Sequence, residues 1–414
     1  MPPFNNPLTI AKSYDNLKLG GYMKDLKIFA NTLDPAAQNQ IYDLMSQSSF
    51  EGARVRIMPD VHCGIGCVVG FTSTMTDKAI PNVIGVDIGC GMLTVELGKV
   101  DIDLKALDGF IRENIPSGMS VCKTAHPNSK IINDLYCYNE LRKMGRLVCS
   151  MGSLGGGNHF IEVDEDEDGN KYLIIHSGSR NLGMQVASIY QNLAVERCKS
   201  ASFSEREQLI ADLKAEGRTD EIPDKLTELT KKYAYKTKIP ADLCYLDGID
   251  LDKYLHDMRI CIKFAKFNRQ AMADKIIKHL GVLRTSSFET IHNFIDENNV
   301  IRKGAVPAHS GQRILIPMNM RDGCLIAIGL GNEDWNCSAP HGAGRLYSRC
   351  AVKELFTVDE YKQSMEGIYT TSVCDGTLDE SPMAYKPMDE ILSIIGDTVK
   401  IEKIIKPIYN FKAS

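Results

Sequence analysis

Apolar positions recur along the chain in two rhythms, and the changes of rhythm divide it into segments. Period-two or continuous apolar runs at Leu26 to Ala30, Arg54 to Met58, Cys67 to Met75 and Met92 to Leu97 predict strands separated by glycine-rich connections. Helical spacing takes over in Leu104 to Ile111, Lys130 to Arg142 and Leu182 to Glu216; in the last, Ser204 and Glu207 form an S-x-x-E capping pattern and Gly217 supplies a stop. A further charged helix is expected from Pro223, since proline suits a first helical turn. Residues 199–238 therefore predict a helical hairpin dense in Lys and Glu. Its mixed charge suits a solvated surface excursion, and an RNA clamp is the sharper alternative. Strands resume at Ile314 to Pro317 and Leu325 to Leu330, and a last helix from Met388 to about Val399 precedes a basic tail through Phe411 and Lys412. Asn158 to Val163 and Tyr172 to Ile175 read as strands around an acidic turn carrying Asp168-Gly169. Folding about a centre between residues 167 and 168 would set His159 opposite His176, with the turn type free to shift the register by two.

Composition narrows the class. The chain has 414 residues, 43% hydrophobic and 24% charged, which excludes disorder, collagen and coiled coil. A net charge of -5 excludes a polycation that coats DNA, so any nucleic acid must be held by a local basic groove. Thirteen scattered cysteines, an odd number without the spacing of a disulfide framework, point to a reducing cytoplasm. The opening MPPFNNPLTI lacks a basic-then-apolar leader, and no run of 18 apolar residues occurs; neither secretion nor a membrane span is expected.

The chemistry concentrates in glycine-rich segments. Six of nine histidines (His62, His159, His176, His292, His309, His341) lie in Gly-, Asp- or Asn-rich stretches rather than on apolar helical faces. In Gly85 to Met92, GVDIGCGM, a tight loop carries Asp87 and Cys90, which suit a mixed oxygen and sulfur metal site or, more plainly, a buried thiol beside a turn-capping carboxylate. With His159, His176 and His292 they make five candidate ligands, enough for two dications sharing the thiolate. Ligand softness suggests zinc, whereas the carboxylate and a phosphate substrate allow manganese. Pro340 to Arg349, PHGAGRLYSR, combines small residues that let backbone N–H groups approach a phosphate with Arg345, Arg349 and a leading His341, a composition suited to nucleophilic attack on phosphorus.

Taken in order, MPDVH, VDIGCGM, GGGNHFIEV, HSGSRNLG, HN, RKGA, GNE and HGAGR resemble the RtcB-type RNA-splicing ligases, with the match running from about Met58 to Lys412. The resemblance implies an α+β fold: one large mixed α/β domain over 1–414, β-sheets at its core and a dinuclear metal site in a central cleft. It implies a GTP- and Mn2+-dependent ligase that joins RNA 2',3'-cyclic phosphate or 3'-phosphate ends to 5'-hydroxyl ends, in tRNA splicing or RNA repair, with an accessory activation or repair partner conceivable. By matching motifs, Asp87, Cys90, His159, His176 and His292 would hold two Mn2+ ions with Cys90 bridging, and His341 would be the guanylylated nucleophile. Asn158, Glu162, His292, Asn293, Pro317, Met318, Asn319, Met320, Cys324, His341, Gly342, Ala343, Gly344 and Lys412 would surround the GTP-derived guanylate, and Arg180, Arg345 and Arg349 look suited to RNA phosphates. The chain departs from the family pattern at Met318-Asn319, where a Gly-Ser pair is common, at Cys324 in place of a usual Ser, and at Pro340 before the nucleophile. Two other classes compete: a metal-dependent phosphoesterase that opens cyclic phosphates without ligation, and an RNA-end binding protein without turnover.

Overall fold

From Val55 to Val61 the strand Arg54–His62 is buried at every position, so its polar members Arg56 and Asp60 must find partners inside the protein. The computed structural model describes residues 17–19, 22–199, 203–236 and 239–413. In it this strand pairs parallel with Tyr22–Ile28 and antiparallel with Val69–Thr74, within a six-stranded sheet whose far edge is Val300–Lys303 and Asn293–Ile295.

A second sheet has seven strands in the order Ser286–Ile291, Gly91–Gly98, Lys171–Ser177, Phe160–Glu165, Val399–Lys412, Gly323–Gly329, Arg313–Asn319. It curls until its edges meet: Thr290 Oγ1 accepts the Leu315 N–H at 3.0 Å, and Arg313 lies over the Phe288 ring. The enclosed face carries Met92, Phe160, Ile174, Leu315, Cys324, Ile326 and Ile405, one or two from each of six strands, with Phe288 of the seventh packed against them. On the outer face the helix Gly248–Leu280 packs Met272, Ala273 and Ile276 against Leu93, Ile161 and Ile175. The two sheets are joined directly at His292, which lies between Ile291 at the end of one edge strand and Asn293 at the start of another. A mixed α/β architecture with large sheets at its core is therefore observed. Among the described residues no helix is long and apolar enough to cross a membrane.

Several local expectations are corrected. Lys130 to Arg142 is not an α-helix but two short 3-10 stretches, Pro127–Asp134 and Tyr138–Glu140. The buried carboxylate of Asp257 accepts the backbone N–H groups of Tyr136 and Cys137, donors that an α-helix would use internally. The long helix expected over Leu182 to Glu216 is two helices, Arg180–Lys199 and Phe203–Ala215; residues 200–202 lie outside the described residues, as does the Ser204 side chain expected to cap. A helix Ile222–Lys236 follows, with Pro223 in its first turn. The last helix stops at Ile395, and the segment expected to be a basic tail is the 14-residue strand Val399–Lys412 in the interior of the seven-stranded sheet. Its apolar residues alternate only in part because Pro407 and a register shift before Tyr409 interrupt the pleat.

Candidate metal centre and nucleotide pocket

The loop Gly85 to Cys90 turns tightly through Gly85 (φ 93°) and Gly89 (φ 71°) into the strand Gly91–Gly98. At Gly89 any side chain would press on the Ile262 backbone of the long helix, whose Cα would stand 2.8 Å from the added carbon. The same helix fixes the loop through Arg269, which is fully buried and donates to the carbonyls of Gly89 (2.9 Å) and Ser177 (2.8 Å). Gly178, of the HSGSR segment, leaves the space that the Asp87 carboxylate occupies. Asp87 and Cys90 are thus aimed by contacts with two separate stretches of chain.

Around Cys90 the expected ligands converge. Its Sγ lies 3.4 Å from His159 Nε2 and 3.3 Å from His176 Nε2, and His159 Nε2 lies 2.9 Å from Asp87 Oδ2. Two groups that could hold a metal ion form, Asp87 with Cys90 and His159, and Cys90 with His176 and His292, the donor atoms within each lying within 4.8 Å of one another. Cys90 belongs to both. His159 Nδ1–H donates to the Leu154 carbonyl (2.9 Å) and His176 Nδ1–H to the Asn158 carbonyl (3.1 Å), the tautomer in which each Nε2 would be free to ligate a bound ion. Asp87 Oδ1 and His292 Nδ1 are buried without a hydrogen-bond partner among the described residues. A soft and hard donor set with orphaned acceptor atoms is what a bound cation satisfies.

Electrostatics agrees with that donor set at His176, His292 and Asp87 and opposes it at the Cys90 thiol, whose proton a bound cation would have to displace. Burial, then the neighbouring His159 charge, holds His176 well below the usual imidazole range; burial and His341 do the same for His292, so both are neutral and able to ligate. Burial followed by the Asp87 carboxylate pushes the Cys90 thiol well up. Burial alone would raise Asp87 too, but the hydrogen bond and charge of His159 outweigh it and the carboxyl is held low.

The hairpin that brings His159 and His176 together differs from expectation by one residue: Phe160, not His159, pairs with His176. His159 stands just before the strand, free of its alternation, and so reaches the same place from the loop; the two rings are 5.3 Å apart. The line of imidazoles continues through His292 (5.2 Å from His176) to His341 (4.9 Å from His292).

His341 follows the short strand Ser338–Pro340 and is held by Asp60, a residue to which sequence reasoning gave no role although MPDVH contains it. Asp60 Oδ2 accepts both the His341 backbone N–H (3.0 Å) and its Nδ1–H (2.6 Å), and Asp60 is fully buried. That pairing engages Nδ1 and leaves Nε2 without a part in it. Gly344 (φ 76°) lies so close to the Asp60 backbone carbonyl that a side chain there would displace it.

Two pockets flank His341. The first is lined by Asn158, Phe160, Glu162, Pro317 to Met320, His341 to Arg345, Arg349, Glu380, Tyr385, Asn410 and Lys412. The second is lined by Asp87, Cys90, His292, Asn293, Asn82 and Lys303. His62, Asn158 and His341 belong to both walls. Burial pushes His62 down to about 4, so a neutral imidazole stands at the junction beside His341. In the first pocket Glu380 gathers the cations: it accepts from Lys412 Nζ (2.9 Å) and Arg349 (2.6 Å) and from the Tyr385 hydroxyl (2.7 Å), with Arg345 at 3.4 Å.

Of the residues singled out from sequence, Asn158, Glu162, Pro317 to Met320, His341 to Gly344 and Lys412 line the first pocket. His292 and Asn293 line the second instead, where Asn293 holds the loops by donating to the Asp87 carbonyl and accepting the Gly304 N–H. Cys324 lies behind Glu162, to which its thiol donates at 3.6 Å. Met318 is buried in an apolar cluster with Ile316 and Ala343. Arg345 and Arg349 reach the first pocket, whereas Arg180 lies against the back of His159 and lines neither. His309 stands apart, beside Asp296. Asp60, His62, Phe160, Glu380, Tyr385 and Asn410 were not assigned from sequence; only the first three carried a local signal, by lying inside quoted motifs.

Comparison with known proteins supplies an independent line. The family model described as tRNA-splicing ligase RtcB matches residues 43–140 and 138–413. The chain is 30% identical over 389 residues to RNA-splicing ligase RtcB of Escherichia coli (strain K12), a match spanning 84% of this chain and 87% of that protein. It is 25% identical to the tRNA-splicing ligase RtcB of Nanoarchaeum equitans, over 84% of this chain and 85% of the other. With the family model covering nearly all of the chain beyond residue 42, and the motif residues gathered around one seam between two sheets, the chain belongs to the RtcB ligase family.

Proposed function

We propose that this chain is an RNA ligase that joins a 3'-phosphate or 2',3'-cyclic phosphate end to a 5'-hydroxyl end, using GTP and two Mn2+ ions. The observation that carries this reading is His341: its Nδ1–H is tied to Asp60 and its ring lies on the walls of two pockets, one with a metal-capable ligand set and one with a cluster of cations. A phosphoesterase or a passive RNA-end binder has no need of a nucleophile so prepared.

The residues divide the work as follows. His341 Nε2 attacks the α-phosphorus of GTP, the N–P bond forms and pyrophosphate leaves; Asp60 keeps the ring oriented and balances the charge that develops on it. Glu162 accepts from the guanine N–H edge, Phe160 and Tyr385 offer ring faces to the base, and Lys412, Arg345 and Gly342 to Gly344 face the phosphates. A cyclic end is first opened by water to the 3'-phosphate. The guanylate then passes from His341 to an oxygen of that 3'-phosphate, and attack by the 5'-hydroxyl on the same phosphorus releases GMP and closes the strand. Asp87, Cys90, His159, His176 and His292 would hold the metal ions, which supply Lewis-acid stabilisation of phosphate charge when bound. The thirteen free thiols suit a reducing cytoplasm.

Incubation with GTP and Mn2+ followed by intact-mass measurement tests the first step. A single GMP adduct is expected on the native chain and none on His341→Ala, whose metal content stays unchanged. An adduct that persists on the variant, or maps to another residue, overturns the assignment.

A further inference from the structure

Behind the first pocket lies a second carboxylate that neither the motifs nor the mechanism uses. Asp164 is two residues beyond Glu162 on the same face of the strand Phe160–Glu165, so both side chains point into the enclosed face of the curled sheet. Asp164 is fully buried, and neither of its oxygens receives a hydrogen bond from an amide, a hydroxyl or a cation of the described residues. The groups within reach are Glu162 and the Cys324 thiol, the three lying within 4.8 Å of one another. The neighbouring hydroxyl, that of Tyr172, is engaged by Asp166 at 2.9 Å. From the interior strand Val399–Lys412, Asn410 donates to Glu162, and Lys412 turns away to Glu380.

An ionised carboxylate in such a place would cost several kcal/mol, whereas a protonated one is a donor with an acceptor beside it. We propose that Asp164 is a neutral carboxylic acid that donates its proton to Glu162, and that this shared proton keeps Glu162 a fixed acceptor for the guanine edge. Burial and the adjacent Glu162 charge push the Asp164 carboxyl well up, in keeping with one negative charge for the pair. Glu162 also accepts from Asn410 and Cys324, so three donors fix its carboxylate from three strands and leave one of its roughly four lone-pair sites for guanine. Without Asp164, burial would favour protonation of Glu162 itself, turning an acceptor into a donor that guanine does not match. Asp164 is thus a positioning and specificity residue, and this role rests on the reading of the first pocket as a guanylate site.

Two measurements separate the proton from the function. The infrared difference spectrum of native chain minus Asp164→Asn at neutral pH should contain a protonated-carboxyl C=O band, whatever the protein's activity. For guanylylation, Asp164→Asn, whose amide still donates, should keep the KM for GTP within about threefold, and Asp164→Leu should raise it about ten- to a hundredfold with kcat little changed. Absence of the band, an unchanged KM in Asp164→Leu, or a bound-metal content that falls in Asp164→Asn each overturns the shared proton. A chain that shows the band but takes no label from GTP upholds the proton and overturns the nucleotide reading.

Discussion

Asp60 offers one carboxylate oxygen to two donors of His341, the backbone N–H and Nδ1–H, from a fully buried position. An amide in its place could still accept but would not balance a positive ring, so Asp60→Asn should slow GMP transfer to His341 by about a hundredfold or more. Metal content should be unchanged, because Asp60 is no part of either ligand set. A rate within a fewfold of native, measured in single-turnover guanylylation, contradicts the orienting role. Cys90 differs in kind, since it is common to both ligand sets. Replacing its thiolate by the weakly acidic hydroxyl of Cys90→Ser should weaken both metal positions together, seen as parallel loss in a metal titration. Loss of one ion alone would show that the thiol serves a single position. At this scale the sequence was informative about what a residue is and not about what it touches. His341 and the five ligand candidates stood out through loop composition and motif order, while Glu380, Tyr385 and Asn410 sit in segments without any such signal.

Strand ends and the loops that follow them build the site, and they depend on elements far apart in sequence. Glu380 ties the end of the strand Val399–Lys412 to the loop after His341 through Lys412 and Arg349. Burial raises its carboxyl, but the two cations outweigh burial and hold it down to about 2, against an ordinary 4.5. The unfolded chain takes up that proton near the ordinary value, so this stabilisation is complete above about pH 4.5 and is lost as pH falls toward 2. Glu380→Gln should therefore lose on the order of 3 kcal/mol at neutral pH and show a shallower loss of stability on acidification, as followed by denaturant unfolding from neutral to acid pH. Equal pH dependence of native and variant would contradict the coupling. The strands near residues 54, 69 and 91 were legible because continuous apolar runs mark buried sheet. Val399–Lys412 was not, because Lys400, Glu402, Lys403 and Lys406 give it the composition of a solvated tail while its neighbours on both sides supply the ladder. Lys130 to Arg142 misled in the opposite direction, since its helical spacing is overridden by the buried Asp257.

For the molecule as a whole, the net charge of -5 hides a local arrangement in which Lys412, Arg345 and Arg349 face one pocket and the metal-capable cluster faces the next. Motifs spaced from Asp60 to Lys412 meet because His292 joins the edge strands of the two sheets and the strand Val399–Lys412 ends beside Phe160, where Lys412 pairs with it. Order along the chain was sufficient to recognise the family; the seam that collects the motifs follows only from the topology. The most direct test of the whole account is ligation of an RNA strand ending in a 2',3'-cyclic phosphate to one beginning with a 5'-hydroxyl, in the presence of GTP and Mn2+. The account predicts a joined strand whose junction phosphate comes from the cyclic end, formed only with both GTP and Mn2+ and absent with His341→Ala. Opening of the cyclic phosphate without joining, or joining that proceeds without GTP, would contradict it.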